Sequence, residues 1–162
     1  MSHADPAVIV DADLVSEVAR SLVAAAAPAE LPLFRATRDA YFRDPQGVLQ
    51  PRPGKEEMLG FGVEAEVMLL TPAILEATRS VLRFLVSQLQ SEAESQASDA
   101  IRDRLRRLLN RDAKTEPPGP GLSHEQLAQV REIAFQTGRR AQLPEREATL
   151  LADAMIGRLA LA

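Results

Sequence analysis

A chain of 162 residues with 46% hydrophobic side chains has the length of one ordinary domain and enough apolar material for a real core, which excludes wholesale disorder. Its formal net charge of −4, from 19 basic and 23 acidic residues, argues against general nucleic-acid binding, which needs a clustered excess of Lys and Arg. The chain has no cysteine, so disulfides, thiolate chemistry and Cys-ligated zinc or iron–sulfur clusters are ruled out.

Aromatic residues are only 4% of the chain, with no Trp and Tyr41 as the single Tyr. The core must be built from Leu, Ala, Val and Ile, which suits closely packed helices better than a sheet sandwich. Lys55 and Lys114 are the only lysines, and arginine supplies the other basic side chains, a usage that fits a GC-rich bacterial gene. The N-terminal Met-Ser-His-Ala-Asp-Pro lacks the basic region and apolar run of a signal peptide, so a cytoplasmic location is expected.

In chain order, Asp11 and Asp13 signal the start of a first helix, and Leu14, Val15, Val18 and Leu22 follow at one-face spacing until Pro28. A second helix is expected from about Pro32 to Arg43, with Leu33, Phe34, Thr37 and Tyr41 as its stripe. Residues 45–54 hold three prolines and two glycines and read as a loop. From Phe61 to Val67 apolar residues alternate with Gly and Glu like a strand, but one strand would lack partners, so a helix beginning near Lys55 is favoured over residues 55–70.

Thr71-Pro72 reads as an N-cap followed by proline in the first turn. Beyond it Ile74, Thr78, Val81, Leu85 and Leu89 form one stripe, and the same phase continues through Ala93, Ala97, Ile101, Leu105 and Leu108. The unbroken phase predicts one long helix over about 72–111, against the alternative of a hairpin turning within Gln90 to Ser98. Residues 113–121 are a Pro/Gly linker. After it, Ser123 and Gln126 form a capping box, and Leu122 faces Leu127 as a hydrophobic staple. This first helix carries Leu127, Val130 and Ala134 and weakens at Gly138. Pro144 opens a last one carrying Ala148, Leu151, Met155 and Leu159.

The expected architecture is therefore all-α: amphipathic helices packed around one long central helix, in a body over 8–112, then a C-terminal helical hairpin over 122–162. No catalytic constellation emerges. His3 and His124 are the only histidines, and neither has a second ligand at metal-binding spacing or a placed nucleophile and acid. The carboxylate pairs Glu56/Glu57, Glu64/Glu66 and Glu92/Glu94 are sequence neighbours that do not face each other on a helix. Asp11-Ala-Asp13 lacks the Gly turn and distal Glu of a calcium loop, and Gly60-Phe-Gly62 lacks a phosphate-loop pattern. No metal, cofactor or small-molecule substrate is implied.

What remains are surfaces. Val81, Leu85, Leu89, Ile101, Leu105 and Leu108 are a candidate self-association face. Leu127, Val130, Ala134, Leu151, Met155 and Leu159 are a candidate docking face, with burial against the chain's own body weighed above docking onto a partner. Arg102, Arg106, Arg107 and Arg111 form the one basic cluster, a solvated helix end or an anion- or partner-binding patch. These features point to a non-catalytic protein–protein interaction, scaffolding or accessory protein that self-associates through the long helix. The alternative is a peripheral membrane protein using residues 58–89 and the arginine cluster 102–111. Glu64, Glu66 and Pro72 make a spanning helix unfavourable there.

Overall fold

The computed structural model describes residues 10–49, 69–92 and 122–160, and every regular element among them is helical. The elements are α1 (Ala12–Ala26), a 3-10 segment (Pro28–Leu33), α2 (Phe34–Arg43), α3 (Pro45–Leu49), α4 (Thr71–Glu92), α5 (His124–Arg140) and α6 (Glu145–Ala160). The helix expected over 55–70 and the linker 113–121 lie outside the described residues, apart from Leu69 and Leu70, which are not helical. The long helix expected over 72–111 is described as far as Glu92.

Several of the helices start where a side chain or a ring can take over from the missing backbone partners. Asp11 caps α1, its Oδ1 accepting from Leu14 N at 2.9 Å. At α5 the capping box is complete: Ser123 Oγ accepts from Gln126 N at 3.1 Å, and Gln126 Oε1 accepts from Ser123 N at 3.0 Å. Residues 45–49 correct the expected loop. Pro45 occupies a first-turn position that needs no donor, and Asp44 Oδ1 accepts from Gly47 N at 3.1 Å, so a single turn of helix forms despite the proline and glycine. The second helix is also divided: Pro28 and Pro32 hold the chain in a 3-10 segment before the α-helix opens at Phe34.

Between α5 and α6 the chain reverses in four residues. Gln142 N donates to Arg139 O at 3.1 Å and Leu143 N to Gly138 O at 3.0 Å, the pair of bonds that closes a Schellman turn. Gln142 takes the left-handed position, with φ 69°, that glycine more often fills. Leu143, next in the chain, is buried beneath it.

One apolar cluster joins α1, α2, α4, α5 and α6, with Leu14, Leu22, Tyr41, Ile74, Leu75, Leu82, Leu85, Val130, Leu151 and Met155 among its buried members. α4 packs on α1, α2 and α5, while α6 packs on α5 and α1, so the C-terminal helices are part of the same core as the N-terminal ones.

Gly138, where the sequence pattern weakens, lies inside α5 against Ala148 and Leu151 of α6. A Cβ there would stand 3.2 Å from Ala148 Cβ and 3.3 Å from Ala148 Cα. At Gly157 in α6, by contrast, an added Cβ would meet nothing within 4 Å. The two therefore respond oppositely to alanine. Gly157→Ala is expected to stabilise by about 0.5–1 kcal/mol through helix propensity. Gly138→Ala is expected to destabilise by about 1 kcal/mol net, because overpacking outweighs the same propensity gain. Urea denaturation of the two variants checks the opposite signs.

Candidate functional site

The surfaces singled out in the sequence divide sharply by burial. Val81 and Leu85 are each 1% exposed, and this chain's own helices cover them. Val130, Ala134, Leu151, Met155 and Leu159 are buried in that same cluster, and Leu127 is half-buried against it. These side chains are consumed by intramolecular packing. The Leu89 side chain and Ile101, Leu105 and Leu108, which continue the α4 stripe, lie outside the described residues, as do Arg102, Arg106, Arg107 and Arg111. Among described large apolar residues, Leu69 and Leu150 are the exposed ones.

His124 is an exposed first residue of α5, and His3 lies outside the described residues. The three acidic pairs lie there too, except the backbone of Glu92. Among the described residues no three His, Asp or Glu side chains converge, and no helix is long and apolar enough to cross a membrane.

Two other carboxylates matter instead, and neither is conspicuous in the sequence. Glu30, in the 3-10 segment, reaches the start of α4. Its Oε2 accepts from Leu70 N at 3.1 Å, and its Oε1 accepts from Thr71 N and Thr71 Oγ1, both at 3.3 Å. The capping role expected of Thr71 is thus taken by a carboxylate about forty positions earlier. Thr71 instead lies within the helix, donating its hydroxyl to that carboxylate. A negative group at a helix N-terminus also complements the macrodipole.

Glu76, on α4, accepts a short hydrogen bond from the hydroxyl of Tyr41, which is otherwise wholly buried between α2 and α4. Burial first, then this bond to Glu76, pushes the Tyr41 phenol up to about 12 from its ordinary 10.0. Because the folded-state value lies above the unfolded one, the contribution of Tyr41 to stability is whole below pH 10 and is lost as pH rises through 12. Wild-type stability is therefore expected to fall between pH 10 and 12 by more than that of Tyr41→Phe, measured by denaturation at each pH.

Glu76 also borders a cleft of about 160 Å³, lined by Gln46 and Leu49 of α3, Glu76 and Ser80 of α4, and Thr137, Arg140 and Ala141 at the end of α5. Thr137 is 3% exposed, and its hydroxyl has no hydrogen-bond partner. Helical threonines usually resolve this by bonding the carbonyl four residues back, as Thr78 Oγ1 does to Ile74 O at 2.6 Å and Thr149 Oγ1 to Glu145 O at 2.9 Å. Thr137 does not. A buried hydroxyl without a partner costs stability, so Thr137 is a locally unfavourable feature of the packing behind this cleft.

Comparison with protein-family models, with curated proteins and with solved structures yields no match to this chain.

Proposed function

We propose that the chain is a non-catalytic interaction or scaffolding protein that self-associates through the sequence continuing α4. The observation that supports the reading is how the apolar stripe of this helix is used. Ile74, Thr78, Val81 and Leu85 are all buried within the chain, which accounts for the stripe's first half. The same spacing of threes and fours then runs on in the sequence through Leu89, Ile101, Leu105 and Leu108. Under this reading the stripe belongs to one long central helix over about 72–111. Its distal half, extending past the short helices of the body, takes its cover from a second copy. The helices after 122 act as a C-terminal hairpin locked onto the body, and the arginines at 102, 106, 107 and 111 flank the association face. The protein works in the cytoplasm, with protein rather than nucleic acid or membrane as its partner.

Two differently tagged copies expressed together test this. Co-purification of one through the tag of the other is expected for the wild type and is expected to disappear in Ile101→Glu/Leu105→Glu/Leu108→Glu. Wild-type copies that never co-purify would count against the proposal.

A further inference from the structure

We draw no further inference here: the strongest candidate, the open cleft between α3, α4 and the C-terminal end of α5, has Arg140 as the one cation in its lining, and nothing in the structure shows what fills it.

Discussion

Leu85→Ala is expected to lower the free energy of unfolding by about 3 kcal/mol, within the ~2–5 kcal/mol span of buried Leu→Ala changes. Leu85 is 1% exposed and sits in the cluster where α4 meets α1, α2 and α5. Truncation removes apolar area from that cluster and leaves a cavity that helices packed on several sides can only partly close. Denaturant unfolding measures the loss. It should be the same at low and high protein concentration, because the cover of Leu85 comes from its own chain. Leu105, further along the same run of three- and four-residue spacings, is expected to behave differently. Leu105→Ala should change association and leave the stability of the dissociated body within about 0.5 kcal/mol of wild type, the range of substitutions away from a core. The pair thus separates folding from assembly along one sequence pattern.

Glu30→Ala is expected to cost about 2 kcal/mol, in the range of hydrogen bonds made to a charged group. It removes the acceptor for two backbone amides and the Thr71 hydroxyl at the head of α4. Those groups then depend on water at a partly buried helix end. α4 carries Ile74, Leu75, Leu82 and Leu85 into the core, so loosening its first turn is felt by the whole body. Glu30→Gln keeps one acceptor oxygen but loses the charge, and is expected to retain about half the effect. Equilibrium urea unfolding of the three proteins, compared by midpoint at equal slope, gives the order wild type, Gln, Ala. Equal midpoints for wild type and Ala would show that the cap contributes nothing.

These two sites also show where a sequence is readable and where it is not. Helical periodicity identifies α1, α4, α5 and α6, because burial on one face repeats every three or four residues and needs no knowledge of the partner. The Ser123–Gln126 box is readable for a similar reason: both halves lie within one turn. The one-turn helix at Pro45–Leu49 is hidden by its proline and glycine, which signal a loop in isolation and yet fit a first turn capped by Asp44. Gly138 weakens the pattern of α5 because propensity disfavours it, whereas the close approach of Ala148 makes the missing side chain a fit rather than a break.

Glu30 and Glu76 have no local signature at all. Their partners are Leu70, Thr71 and Tyr41, brought to them only when α2 and the 3-10 segment dock against α4. Likewise, nothing in the run around Thr137 indicates that this residue lines a cleft with Glu76 and Gln46, since three separate helices make it. The stripe from Val81 to Leu108 shows the converse. Its spacing marks a face to be covered, but spacing alone does not say whether the cover comes from the same chain, as for Val81 and Leu85, or from another.

That question is the centre of the functional account, and sedimentation equilibrium answers it most directly. The full-length chain is followed from about 1 to 100 µM, a range that brackets interfaces of roughly −6 to −8 kcal/mol, beside Ile101→Glu/Leu105→Glu/Leu108→Glu. The account predicts a wild-type mass that rises with concentration toward an integer multiple of the chain mass. It predicts a variant that stays at the monomer mass with unchanged helicity. A wild type that remains monomeric across the range, or a variant that associates as strongly as the wild type, would contradict it.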